Sequence, residues 1–158
     1  MLDAAFAEIF PLSHDDTTPY RKLAVSGVGT DRFRGRDVIV VPADALTTLT
    51  AEAFHDVSHL LRPGHLAQLR AIVDDPEASA NDRFVALELL KNANIASSGI
   101  LPMCQDTGTA IIMGKKGQAI WTEGDDAVAL TTGVADAYTK LNLRYSQMST
   151  TSLFDEKI

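Results

Sequence analysis

One cysteine, Cys104, stands in a setting unlike that of a packing residue. It follows Pro102 and Met103 in "GILPMCQDTGTAIIMG" and is trailed by Gln105, Asp106, Thr107, Gly108 and Thr109. A structural cysteine behaves as a small hydrophobe on an apolar face; here an amide, a carboxylate and hydroxyls crowd behind it. That set suits hydrogen bonding to a small, charged, oxygen-rich ligand. A disulfide within the chain is excluded, which leaves an inert buried thiol, a nucleophile or one ligand of a metal centre. A nucleophilic thiolate is favoured by a basic neighbour, and Asp106 acts in the opposite sense. A metal would supply the missing positive charge and hold the thiolate deprotonated. Residue types alone keep metal ligation and an inert thiol both open, with a nucleophile third.

Other groups carry weaker signals. His55 and His59 have the i, i+4 spacing of a zinc-binding HExxH helix, but Asp56, Val57 and Ser58 lie between them, so the glutamate base is missing. No third ligand cluster is nearby, and surface or half-buried helix histidines are expected. "GTAIIMGKK" has five residues between its glycines, one more than a phosphate-binding loop allows, and lacks the hydroxyl residue after the lysine. Lys115 and Lys116 are therefore read as a solvated hairpin tip. The pairs Asp15–Asp16, Asp74–Asp75 and Asp125–Asp126 are read as structural, because adjacent side chains seldom aim at one point and helix starts favour acids.

The elements that must position these groups follow from periodicity and turn chemistry. Residues 1–20 read as an extended entry segment, rich in Pro, Asp and hydroxyl residues. "KLAVSGVGT" and "RDVIVVP", separated by "DRFRG", predict a hairpin ended by Pro42. From Asp44, Leu46, Leu49, Ala53, Val57 and Leu60 fall on one helical stripe with Phe54 and Leu61 beside it, stopped by Pro63 and Gly64. A second helix is predicted over residues 65–73. A third spans residues 82–96, capped by Ser79 or Asn81, burying Phe84, Leu87 and Leu90 and ended by "SSG". Residues 110–113 predict a strand paired antiparallel with "AIWT" across "GKKGQ". Asp125 or Asp126 caps a last helix reaching about Leu141. The fold class is thus α+β, predominantly helical, with two small antiparallel β-hairpins.

At 158 residues the chain fits one domain able to bury a core, and 46% hydrophobic residues is an ordinary globular share. The net charge of −7 argues against non-specific nucleic-acid binding, which needs a basic face. No apolar run approaches membrane-spanning length. The N-terminus carries Asp3 and Glu8 and has no basic leader region, so no export signal is read there and a cytoplasmic location is expected.

Read whole, "GILPMCQDTGTAIIMGKKGQAIW" closely resembles the iron–sulfur signature of class I fumarate hydratases, the oxygen-sensitive family that includes tartrate dehydratases. "FPLSHDDTTPY", "AFHDVSHLLRPGH", "DDPEASANDRFVALELLKNANIASSG" and "NLRYSQ" look like the N-terminal part of the single-chain fumarases, so the similarity runs from about Phe10 onward. The resemblance implies reversible hydration of fumarate to L-malate, a tricarboxylic acid cycle reaction, at a 4Fe–4S cluster. In that family three cysteines hold three irons and the fourth iron binds substrate as a Lewis acid. Carried over, Cys104 matches the first cluster ligand. Gln105 and Asp106 match substrate-contacting residues, with Asp106 placed to hold the substrate hydroxyl or exchange its proton. Arg144 matches an arginine that clamps a substrate carboxylate. At His59 an aromatic residue is more usual.

One cysteine cannot hold a four-iron cluster. The resemblance therefore implies an N-terminal fragment, with residues 21–158 forming part of the iron–sulfur hydratase domain and no cluster or activity of its own. The implied partners are a small dicarboxylic acid, the missing C-terminal part of the enzyme and a second copy in a homodimer, with no nucleic acid and no membrane. Related tartrate or mesaconate dehydratases, one subunit of a two-chain dehydratase, and a non-catalytic binding or scaffold remnant are the alternatives. Apolar surface left by the missing part is expected to favour self-association.

Overall fold

The computed structural model describes residues 19–104, 109–141, 143, 149–150 and 156–157. Among them helices predominate: α1 (Ala43–His59), α2 (Pro63–Asp74), α3 (Ala80–Ala96) and α4 (Asp126–Lys140). Strands β1 (Gly29–Phe33), β2 (Arg36–Pro42) and β3 (Ile120–Glu123) form one sheet in that order, and β4 (Ser149–Thr150) pairs antiparallel with β5 (Glu156–Lys157). The α+β class therefore stands. By internal contacts the chain divides into two units, Leu61–Leu90 with Met1–Arg21, and Lys22–Leu60 with Lys91–Ile158, so the boundary falls inside α3. The expected entry segment, residues 1–20, lies almost wholly outside the described residues.

In the larger unit, β1 and β2 make the predicted hairpin, with Gly29 opposite Val40 and Phe33 opposite Arg36. Its loop is shorter than "DRFRG" suggests. Only Arg34 and Gly35 turn, at φ 48° and 79°. Positive φ at both central residues is the two-residue turn whose twist matches paired strands. Asp31, Arg32 and Phe33 consequently join the ladder.

The second predicted hairpin is not where the sequence placed it. Residues 110–113 form no strand, and β3 runs parallel to β2, with Ile39 opposite Ile120 and Pro42 opposite Glu123. A glycine-flanked turn permits a hairpin but does not supply its partner; β2 offers β3 a better one from far along the chain. Lys116 is exposed, as expected, but belongs to no hairpin tip. Its Nζ donates to Thr122 Oγ1 at 2.6 Å and to Asp126 Oδ2 at 2.7 Å, and Thr122 Oγ1 also donates to Asp126.

Each of these parallel strands leads directly into a helix. Pro42 ends β2 and stands as the N-cap of α1, with no side-chain cap bond. Gly124 (φ 105°) follows β3, and Asp125 caps α4 by accepting the N–H groups of Ala127 (2.8 Å) and Val128 (3.3 Å). The two helices then pack in the same direction: Thr47 Oγ1 donates to Ala129 O at 3.0 Å, Gly133 lies against Thr47 and Thr50, and Phe54 meets Tyr138 with ring centroids 6.2 Å apart. Ala129, Gly133 and Ala137, one turn apart on α4, are all buried.

This interface corrects the expected core. Along α1 the buried residues are Ala45, Thr50, Ser58 and His59, while Leu49, Val57 and Leu60 of the predicted stripe are exposed. On α3 the small residues Ala86, Ala93 and Ala96 are buried, whereas Phe84 and Leu87 are exposed. Hydrophobic period marks faces that gain from burial. Small side chains decide where two backbones can come close enough to deliver it.

The smaller unit shows two further local rules. Pro63, expected to stop a helix, instead opens α2 at its first turn, where the missing N–H costs nothing. Ser79 and Asp82 form a reciprocal cap at the start of α3: Asp82 N donates to Ser79 Oγ (3.1 Å) and Ser79 N to Asp82 Oδ2 (3.2 Å). Asp74 pairs with Arg70 at 2.6 Å and Asp75 accepts from Glu77 N at 2.8 Å, so this acid pair is structural, as is Asp125–Asp126. Asp15–Asp16 lies outside the described residues.

Two outcomes follow. A Cβ at Gly133 would overlap the Thr47 carbonyl oxygen and lie 2.7 Å from Thr50 Cβ. Gly133→Ala gains roughly 1 kcal/mol of helix propensity, yet overpacking against backbone is expected to leave a net loss above about 1 kcal/mol in urea unfolding. An unchanged or raised midpoint would contradict this, with exposed Thr131→Ala as the control. The Asp126 carboxyl is held below its ordinary pKa, first by the Lys116 hydrogen bond and then by that from Thr122. Its stabilisation is present above the unfolded value, about pH 3.9, and disappears as pH falls through the lower folded one. Asp126→Asn is therefore expected to flatten the acid limb of a stability–pH profile; an identical limb would refute the linkage.

Candidate functional site

Cys104 is reached through the C-terminal ends of two helices in the larger unit. α3 closes in a tight turn: Ser97 N donates to Ala93 O (3.0 Å), Ser98 N to Ile95 O (3.2 Å) and Gly99 N to Ala96 O (2.9 Å). The hydroxyls of Ser97 and Ser98 donate to Asn94 O (2.7 Å) and Ile95 O (2.9 Å), satisfying carbonyls the helix end leaves open. Gly99 takes φ 72°, a left-handed conformation that glycine adopts without penalty. A Cβ there would meet the His55 ring at 3.5 Å. The predicted stop at "SSG" thus has a specific mechanism.

Beyond the turn the backbone is pinned twice. Met103 is buried and its N–H donates to Ser58 O near the end of α1 at 2.9 Å. The next N–H, that of Cys104, donates to Asn92 Oδ1 on α3 at 3.0 Å. Cys104 itself is exposed. The thiol is therefore not buried in this structure, and its backbone is fixed from two helices. Neither Asn92 nor Ser58 stood out from the sequence as functional. Asn is a mediocre helix former, and one placed inside a helix twelve residues before the cysteine was the available signal.

His59 also departs from expectation. It is only 1% exposed, the most deeply buried large side chain among the described residues. Its Nδ1 lies 2.7 Å from the His55 carbonyl, which can only accept, so Nδ1 carries the proton. Its ring stacks on that of His55, centroids 4.7 Å apart and 27° between planes, and His55 Nδ1 lies 3.1 Å from Asp56 Oδ1. His59 Nε2 is buried without a hydrogen-bond partner among the described residues. Of the two stacked rings, that of His55 lies against Gly99, where the chain leaves α3.

The donor set decides how far a metal cluster fits. Cys104 offers one thiol, in an exposed residue on an anchored backbone, which suits a single corner. Among the described residues no three His, Cys, Asp or Glu side chains converge. Any such group would take its remaining ligands from elsewhere. Gln105, Asp106 and Arg144, the other candidate site residues, lie outside the described residues. No helix of the described residues is long and apolar enough to cross a membrane.

The buried Nε2 predicts an asymmetric substitution response. His59→Phe keeps an aromatic ring and removes the unmatched Nε2 acceptor, but it gives up the Nδ1 bond to the His55 carbonyl and is slightly larger, so a loss of about 1–2 kcal/mol is expected. His59→Ala leaves a cavity and should cost roughly 2–4 kcal/mol. Equal losses for both in urea unfolding would contradict this, showing that packing of the ring adds nothing beyond its bond to the His55 carbonyl.

Comparison with known proteins agrees with this region. The family model described as fumarate hydratase (Fumerase) matches residues 47–157. The chain is 50% identical over 147 residues to the aerobic class I fumarate hydratase of Escherichia coli (strain K12), covering 93% of this chain and 27% of that protein. It is 49% identical over 147 residues to the anaerobic class I enzyme of the same strain, again 93% of this chain and 27% of that protein. Over 121 residues it is 56% identical to the mitochondrial fumarate hydratase 1 of Leishmania major, 77% of this chain and 22% of that protein. The chain thus spans about a quarter of the length of the curated relatives it matches.

Proposed function

The chain belongs to the fumarate hydratase family, and on that premise we propose that it forms part of a class I, oxygen-sensitive fumarate hydratase that reversibly hydrates fumarate to L-malate. The activity is that of a longer polypeptide, acting as a homodimer in the cytoplasm as a tricarboxylic acid cycle lyase. The observation that carries this reading is Cys104: an exposed thiol whose backbone is held by Asn92 and, through Met103, by Ser58. Such rigidity suits a metal ligand, which must be held in a set geometry. The names of the matched relatives support fumarate over the tartrate and mesaconate alternatives.

In this reading Cys104 supplies one thiolate to a 4Fe–4S cluster. When bound, the cluster provides Lewis-acid polarisation of the substrate's carboxylate and hydroxyl oxygens. The remaining work assigned to this chain is binding and proton handling. Arg144 presents a two-pronged donor to a substrate carboxylate, a geometry that lysine cannot reproduce. Gln105 hydrogen-bonds the substrate, and Asp106 holds the hydroxyl or exchanges its proton. The other two cysteines and the base that takes the carbon-bound proton belong to the rest of the enzyme. A single cysteine supplies too few thiolates, so the 158 residues by themselves hold no cluster and turn over no substrate.

Full-length enzyme prepared without air tests each role. Cys104→Ser should lose both the visible iron–sulfur absorbance and turnover. Asp106→Asn should keep the absorbance while kcat falls about 10²–10⁴-fold, and Arg144→Lys should raise KM for fumarate. Retention of cluster and activity by Cys104→Ser would overturn the assignment, as would cluster absorbance in the reconstituted 158-residue chain alone.

A further inference from the structure

Residues 109–117, just beyond the cysteine site, belong to no strand or helix. They contain "TAIIM", an apolar run with no charge and no alternation, the pattern of a strand covered on both faces. Yet Ile111 and Met113 are 74% and 67% exposed. Alongside, Val57 of α1 is 65% exposed, and with Phe54, Ile111, Ile112, Met113 and Tyr138 it lines a groove of about 340 Å³. Leu49, on the same helical face as Val57, and Leu60, just past the end of α1, are exposed as well. A helix face, a groove and a strand-like run are thus uncovered together, a combination that soluble proteins reserve for contact surfaces.

We propose that residues 110–113 act as a strand-pairing edge, and the groove beside them as its side-chain pocket, for the part of the fumarate hydratase polypeptide that these 158 residues do not span. The relatives are about four times as long as the region they share with this chain, so an occupant of the same polypeptide is available in every case. The chemistry fits a β-rich apolar segment: main-chain groups of the run supply affinity, and Val57, Phe54 and Tyr138 receive alternate side chains. Coverage from elsewhere in the enzyme also explains why "GKKGQ" closes no hairpin: the run is kept for a distant partner while β3 pairs with β2. Docking next to Cys104 would bring the remaining cluster ligands to the first. The inference rests on the reading that this chain is part of the class I enzyme.

The test joins the 158 residues to the remainder of the aerobic E. coli enzyme in one polypeptide and compares it with the 158-residue chain alone by hydrogen exchange. Amides of residues 110–113 are expected to exchange at least tenfold more slowly in the joined protein. Ile111→Lys should lower the thermal midpoint of the joined protein while leaving that of the isolated chain unchanged, since its side chain is exposed there. Equal exchange in both proteins would overturn the proposal. So would protection in the isolated chain that rises with its own concentration, which would make a second copy the occupant. The readout is exchange rather than turnover: an inactive protein protected at 110–113 would sink the enzymatic reading alone, and an active one unprotected there would sink the docking alone.

Discussion

The approach of α1 to α4 at Gly133 is the constraint on which the larger unit depends. With no side chain at that position, the backbone of Thr47 and the side chain of Thr50 lie against the α4 helix itself. Ala129 and Ala137 extend the same flat stripe one turn either way. Two helices this close must follow strands set level with one another, and Pro42 opposite Glu123 in the parallel register does that. The sheet and the helix pair are therefore one arrangement, and neither could shift register without the other.

That arrangement carries through to Cys104. Fixing α1 fixes Ser58, whose carbonyl receives Met103 N–H; the end of α3 brings Asn92 to the next amide. Both bonds engage the backbone, and the cysteine is exposed. Positioning a ligand through backbone groups of rigid helices gives more precision than a loop alone could supply. His55, stacked on the buried His59, lies against Gly99 of the turn.

Several local features were legible without coordinates because they depend on neighbours in sequence. Asp125 as a cap, Ser79 as a cap, "SSG" as a helix end and the β1–β2 hairpin each involve groups a few residues apart. The errors share one cause. Assigning residues 110–113 to a strand beside β3 and choosing Leu49 and Val57 as core both required knowing which distant surface was adjacent. Periodicity reports a preference for burial, and the partner that satisfies it lies elsewhere in the chain.

The sequence by itself determined the chemistry on offer: one thiol, the polar group behind it, and the likeness of that block and its flanks to the fumarate hydratases, a family membership that the family match bears out. It also set where helices begin and end, since caps and turns act over three or four residues. Only the tertiary structure decided that β3 joins β2 in parallel, that small residues rather than leucines meet between α1 and α4, and that Asn92 and Ser58 hold the cysteine loop. Those choices are made by contacts between segments far apart in the chain, whose energies no local pattern encodes.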